Sequence, residues 1–152
     1  MATAQFGRVI TAMITPFTED GAVDYESAVA LAKHLVAHGS EGLLVGGTTG
    51  EGATMTAEEK LKLYTLIVDA VGKRGEGKKV PVMGNIGTIS TADTIAFGNK
   101  AKETGIDCAL VIVPFYVKPN QEGMYQHFTA VAKGVDLPLV LYNVPGRTGV
   151  SI

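Results

Sequence analysis

Five short aliphatic runs, their starts about 30 residues apart, constrain this chain more than any other feature. They cover residues 9–14, 42–45, 80–83, 109–113 and 137–142. Each is apolar with little alternation, the pattern of a strand covered on both faces. The spacing is that of a β-strand, a crossover helix and the next parallel strand.

The gaps between the runs read as helices. Asp24 can cap a helix bearing Ala28, Val29, Leu31, Ala32, Leu35 and Val36, with Gly39 as its stop. Thr56-Ala-Glu-Glu59 is a capping box ahead of Leu61, Leu63, Ile67 and Val71. Ser90 or Thr91 can open a third helix, through Ile95, Phe97 and Ala101, that ends at Gly105. Asn120 opens a fourth, with Met124, Phe128 and Val131, closed by Gly134. Ser151 has the character of a further cap. Right-handed crossovers then make all the strands parallel. A doubly wound sheet fits this order, and so do the first strands of an eight-stranded (β/α) barrel. A chain of 152 residues suits the first, because a whole barrel needs ~250 residues.

In both architectures ligands bind beyond the carboxyl ends of the strands. The segments that follow the runs are Thr15-Pro-Phe17, Gly46-Gly-Thr-Thr-Gly-Glu51, Gly84-Asn-Ile-Gly-Thr88, Pro114-Phe-Tyr-Val-Lys-Pro119 and Asn143-Val-Pro-Gly-Arg-Thr-Gly149. Hydroxyls, glycines and one arginine therefore gather at one rim. The turn at Gly46 lacks the Gly-Lys-Ser/Thr ending of a phosphate loop. Thr48 and Thr49 instead offer hydroxyls and exposed N–H groups that can hold a small carboxylate, although an ordinary turn has the same composition. Tyr142 ends an apolar strand, and by its position alone it reads as a core tyrosine with a satisfied hydroxyl rather than a site residue. Arg147, in a tight rim loop, is placed for bidentate binding of a carboxylate. Tyr116 lies between Pro114 and Pro119, in a stiff loop that suits an interface or a site more than a core.

Other function classes find little support. Hydrophobic residues make up 46% and charged residues 18%, with a net charge of -2, so no nucleic-acid partner is expected. The basic cluster Lys73, Arg74, Lys78 and Lys79 reads as a solvated loop. Cys108, the one cysteine, sits in an apolar run and reads as a buried, inert thiol. His34, His38 and His127 fall on helices without metal-ligand spacing, so neither metal nor cofactor is expected. No signal-peptide pattern or apolar run of membrane-spanning length is seen, and a cytoplasmic location with no membrane partner is the expectation.

Gly47-Thr-Thr-Gly-Glu51 and Tyr142-Asn-Val-Pro-Gly-Arg-Thr-Gly149, together and in register, resemble the dihydrodipicolinate synthase family. Gln121-Glu-Gly-Met-Tyr-Gln-His-Phe128 resembles that family's fourth helix, and the likeness runs over essentially the whole chain. It turns the fold expectation to a partial TIM (β/α)8 barrel, one incomplete domain over residues 1–152 with about five parallel strands and four helices. It implies a lyase that condenses pyruvate with L-aspartate 4-semialdehyde through a lysine Schiff base, in diaminopimelate and lysine biosynthesis, working as a homo-oligomer. By the same resemblance Tyr142 shuttles protons and Thr48 relays them. Tyr116 reaches across a dimer interface into a neighbouring site, Thr49 holds the pyruvate carboxylate, and Arg147 receives the carboxylate of the aldehyde substrate.

The family's imine-forming lysine sits on a sixth strand, beyond Ile152. Of the ten lysines, Lys33, Lys60, Lys62, Lys100, Lys102 and Lys133 fall on expected helices, and Lys73, Lys78 and Lys79 precede the third strand at the opposite rim. Only Lys118 is expected at the functional rim, in an exposed loop with no reason for a lowered pKa. The expectation is a lyase fragment that is inactive alone. The alternatives are a related Schiff-base lyase such as N-acetylneuraminate lyase or a keto-deoxy-sugar aldolase, a non-catalytic partial barrel that binds carboxylates or assembles with another copy, and an independent doubly wound domain.

Overall fold

A computed structural model describes residues 6–152. Its elements run β1 (Ile10–Ala12), α1 (Tyr25–Ala37), β2 (Gly42–Val45), α2 (Ala57–Val71), β3 (Val82–Asn85), α3 (Thr91–Glu103), β4 (Cys108–Ile112), α4 (Gln121–Gly134), β5 (Leu139–Tyr142) and α5 (Pro145–Thr148). All strand pairs are parallel and the sheet order is β1-β2-β3-β4-β5. That order never reverses. A doubly wound sheet must reverse to create its binding crevice, so the doubly wound alternative is excluded and the sheet is that of a half-barrel.

The first four helices start where the sequence places their caps. Asp24 accepts from Ser27 N at 3.0 Å, Ser90 from Asp93 N at 3.2 Å and Asn120 from Gly123 N at 2.8 Å. Thr56 and Glu59 close the capping box, with Thr56 N donating to Glu59 Oε2 at 2.8 Å and Glu59 N to Thr56 Oγ1 at 3.2 Å. Each such cap is worth about 1 kcal/mol. Each of these helices begins just after a rim loop, so all the caps lie on the side of the sheet where the candidate residues collect.

The two faces of the sheet differ. One face carries Leu43, Val45, Val82, Ala109 and Val111, buried against α1 to α4 in the main core. The other carries Leu44, Met83, Cys108, Leu110, Val140 and Tyr142 in a smaller cluster that Phe6 helps to cover. Cys108 is buried there and its thiol is pushed up to about 12 by burial, as suits an inert packing residue. The expectation that every strand is covered on both faces fails at the edges. Val9 and Ile10 at β1, Ile14 beyond it and Leu141 on β5 are all more than a third exposed. Among the described residues no helix is long and apolar enough to cross a membrane.

The α3–α4 contact buries a titratable group. His127 is 5% exposed; its Nδ1 is 2.8 Å from Thr91 Oγ1 and its Nε2 has no partner. Burial holds its pKa below the ordinary value of 6.5, because the apolar setting disfavours the charged ring.

Two outcomes follow from this packing. β1 and β5 are open edges with exposed aliphatic side chains, a combination that promotes strand-to-strand association. The 152-residue polypeptide is expected to form dimers or larger species as its concentration rises in analytical ultracentrifugation; a monomer throughout would contradict the reading. His127 gives a pH dependence. The folded ring resists protonation while the unfolded ring accepts it near pH ~6.5, so stability falls as pH drops through and below that value. His127→Gln should flatten the change in urea midpoint between about pH 7 and pH 5. An unaltered slope in the variant would mean that other groups set it.

Candidate functional site

The β2–α2 turn carries Thr48 and Thr49 and is fixed from below. The chain leaves β2 through Gly46, whose φ of 65° lies in the left-handed region that glycine adopts freely. The Gly46 carbonyl accepts a hydrogen bond from Asn85 Nδ2 at 3.0 Å. The carbonyl of Asn85 in turn accepts from the Tyr64 phenol at 2.6 Å. Tyr64 is fully buried, and burial pushes its phenol far above the usual range, so it remains a neutral donor. The other end of the turn closes on Gly52, where a Cβ would stand 1.8 Å from the Gly46 carbonyl oxygen. Thr15 donates to the Gly50 carbonyl at 2.7 Å, tying the same turn to the end of β1. The result is a rigid turn with both threonine side chains exposed.

Beyond β5 the structure corrects the sequence reading. The segment expected as a loop contains one helical turn, α5, with Pro145 as its first residue and Gly149 as a left-handed cap at φ 76°. Thr148 is buried and its hydroxyl donates to the Val150 carbonyl at 2.9 Å. This turn holds Arg147 over the rim. Tyr142 ends β5, where it stands in register with Ile112, and its half-buried ring packs against the inner cluster of Met83, Cys108 and Leu110.

A pocket of about 360 Å³ opens between the β2–α2 turn, the β3–α3 loop and α5. It brings together two of the expected residues, Thr48 and Arg147, beside Asn85 and Thr88. Its apolar wall includes Ile89, Ile112 and Phe115. Thr49 is exposed on the adjacent turn and does not line the pocket, and Tyr142 is next to it only through its register partner Ile112. Tyr116 points away into solvent, 88% exposed, from a backbone at φ 68°. An aromatic residue there is a backbone outlier, at a cost of ~1–2 kcal/mol. Lys118, in the same loop, also has a positive φ of 44° and lays its side chain against Gly149.

Two residues were missed. Asn85 is in the segment after the third apolar run, but nothing in the sequence says that its amide supports a turn on another strand. Lys60 lines the rim pocket, although its helical position had assigned it elsewhere. The signal was present. Lys60 follows the capping-box Thr56 by four residues, in the first turn of a helix that starts at the rim.

A sequentially ordered parallel half-barrel, with polar side chains and a pocket at the carboxyl ends of its strands, defines the first half of a (β/α)8-barrel protein. The model of the Dihydrodipicolinate synthetase family matches residues 5–152. The chain belongs to that family. It is 55% identical to the 4-hydroxy-tetrahydrodipicolinate synthase of Symbiobacterium thermophilum over 97% of this chain and 48% of the relative. The corresponding enzyme of Heliobacterium modesticaldum is 53% identical over 97% of this chain and 48% of its own length. Among solved structures, a dihydrodipicolinate synthase from Bacillus anthracis superposes with a TM-score of 0.92 at 45% identity, covering 99% of this chain and 50% of that one. A chloride-inhibited dihydrodipicolinate synthase from Acinetobacter baumannii, solved with pyruvate, gives 0.88 at 41% identity, over 94% of this chain and 47% of its own. The chain thus spans about half the length of the relatives it matches.

Asn85→Ala is expected to lower stability by ~1–3 kcal/mol, because the Gly46 carbonyl loses its partner inside the fold. Urea denaturation measures this directly. A variant as stable as the parent would show that the turn does not depend on the amide.

Proposed function

We propose that the protein carrying this chain is a 4-hydroxy-tetrahydrodipicolinate synthase. It condenses pyruvate with L-aspartate 4-semialdehyde, a step toward diaminopimelate and lysine. The observation that carries the reading is the pairing of Thr48 and Arg147 across one rim pocket, in a chain 55% identical to a curated synthase. By the family resemblance the imine-forming lysine belongs to a sixth strand of the barrel, and this chain spans about half the length of the relatives it matches.

The chemistry begins when a lysine amine adds to the pyruvate ketone and water leaves, forming an imine. The protonated imine withdraws electrons from the neighbouring methyl group, which loses a proton to give an enamine. The enamine carbon then attacks the aldehyde. Each stage moves protons, and a phenol with an ordinary pKa near 10 is a poor base by itself at neutral pH. A relay from Tyr142 through the Thr48 hydroxyl to a second tyrosine answers that difficulty, and such help is typically worth ~10²–10⁴-fold. Thr49 holds the pyruvate carboxylate at the glycine-flanked turn. Arg147 takes the carboxylate of the aldehyde, for which its planar fork is suited.

Tyr116 completes the relay from a neighbouring subunit of a homo-oligomer. Its near-complete exposure and strained backbone support this role, since both are costly for an aromatic residue unless a partner covers it. The enzyme works in the cytoplasm and needs no cofactor, because the lysine amine supplies the electron sink.

Arg147→Ala in the protein carrying this chain should raise KM for aspartate semialdehyde by about ten-fold or more, in line with the loss of a charge-assisted hydrogen bond. The pyruvate imine, trapped by borohydride and weighed by mass spectrometry, should form as before. An equal loss of imine formation would sink the role given to Arg147. A parent protein that forms the imine but never consumes aspartate semialdehyde would sink the synthase reading.

A further inference from the structure

The C-terminal end of α1 carries two histidines. Helices start just after the rim loops, so α1 ends at the opposite end of the sheet, far from the rim pocket. His34 and His38 stand four residues apart, about one helical turn, and both are exposed. Their rings stack with centroids 4.0 Å apart and planes 28° from parallel. His38 Nδ1 is 2.7 Å from the His34 carbonyl oxygen. A carbonyl can only accept, so Nδ1 carries the proton and Nε2 keeps its lone pair. Histidines that ligate a metal donate their other ring nitrogen to a carbonyl or carboxylate in this way, which fixes both tautomer and ring. In sequence neither histidine has a carboxylate or cysteine ligand at metal spacing. On the folded helix each has the other as a co-ligand.

We propose that His34 and His38 together chelate one late first-row divalent ion, copper(II) more tightly than zinc. This revises the sequence expectation that no metal is bound. Two nitrogens bound to one ion at ~2.0–2.1 Å each lie about 3 Å apart. Rings with centroids 4.0 Å apart reach that separation by a small turn about their Cβ–Cγ bonds. The same four-residue spacing on a helix is what lets paired histidines hold zinc in metalloproteases. His34 lies in the last turn of α1 and His38 is its C-cap, where the negative end of the helix dipole favours a cation. The adjacent Lys33 lies in the groove toward α2 with Asp69 and Glu76, off the face that the pair occupies. Among the described residues no group of three or more His, Cys, Asp or Glu side chains could hold a metal, so water fills the remaining positions. Two imidazoles and water suit copper(II) and zinc, whereas calcium and magnesium want oxygen ligands from the protein. The site does not depend on the synthase reading, because none of the rim residues takes part in it.

The test titrates the full chain, free of any affinity tag, with copper(II) followed by electron paramagnetic resonance and with zinc followed by equilibrium dialysis. One ion per chain is expected, and a copper spectrum split by two imidazole nitrogens. His34→Ala and His38→Ala should each weaken binding about a hundred-fold, because the second nitrogen no longer acts at a high effective concentration. Combining His34→Ala with Ala30→His keeps two exposed histidines but sets them eight residues, about 12 Å, apart. That displaced pair should bind no better than the single variants. All three positions are exposed, so the exchanges leave the core untouched and a loss of binding does not report unfolding. A parent that binds neither ion would overturn the proposal and leave the stacked rings as a solvated pair. Binding that survives in His34→Ala, or in the displaced pair, would overturn it too, by showing capture on scattered single side chains. So would calcium bound as tightly as zinc, since that requires oxygen ligands.

Discussion

The buried hydrogen bond from the Tyr64 phenol to the Asn85 carbonyl supports everything above it. Tyr64 belongs to α2 and Asn85 to β3, so this bond locks a helix to the strand that follows it. Asn85 then reaches sideways to the Gly46 carbonyl and fixes the turn after β2. Glycines make room for the ring. A Cβ on Gly46 would lie 2.9 Å from the phenol oxygen, and one on Gly84 would lie 3.0 Å from Tyr64 Cε2. The turn bearing Thr48 and Thr49 is therefore positioned by residues from two other elements as well as by its own backbone hydrogen bonds, Glu51 N to the Thr48 carbonyl and Gly52 N to the Gly47 carbonyl. In a low-dielectric setting such a chain of satisfied groups is stiff, and each link is costly to leave unmade.

The same logic explains why the half-barrel has a working rim and unfinished edges. Every helix begins just after a rim loop, so the caps and the first helical turns share that rim with the strand ends. Helix-face burial is complete in the middle of the sheet, where Leu43, Val82 and Val111 are fully enclosed. It fails at β1 and β5, each of which, among the described residues, lacks a pairing strand on one side. The rim pocket is assembled from the central and C-terminal elements, where the packing is secure, and it needs nothing from β1 beyond the tie of Thr15 to Gly50.

Lys60 shows how element type can mislead. A lysine four residues into a helix reads as solvated, and most are. Here the residue is buried, lines the rim pocket and sets its ammonium 4.5 Å from the centre of the Phe97 ring of α3. Phe97 is distant in sequence, so nothing local announces that contact. Tyr116 and Lys118 show the reverse. The prolines flanking their loop announce a stiff, projecting segment, and the structure adds a pair of left-handed residues within it.

The sequence by itself determined the order of elements, four helix caps and the rim on which Thr48, Tyr116, Tyr142 and Arg147 lie. Strand hydrophobicity and capping chemistry are local, so they can be read from neighbours along the chain. It also placed β1 and β3 within a few residues of where they stand, and it missed the single helical turn that carries Arg147, because four residues leave no periodicity to read. The succession of strands and helices left a reversing and a sequential sheet both open; the resemblance in the rim motifs pointed to the barrel, and the strand order β1-β2-β3-β4-β5 bears that out. Only the tertiary structure joined Asn85 to Gly46, turned Lys60 into a pocket wall and left Tyr116 pointing outward. Those outcomes depend on which distant elements come within a few ångströms of each other, and strand pairing in three dimensions settles that, not spacing along the chain.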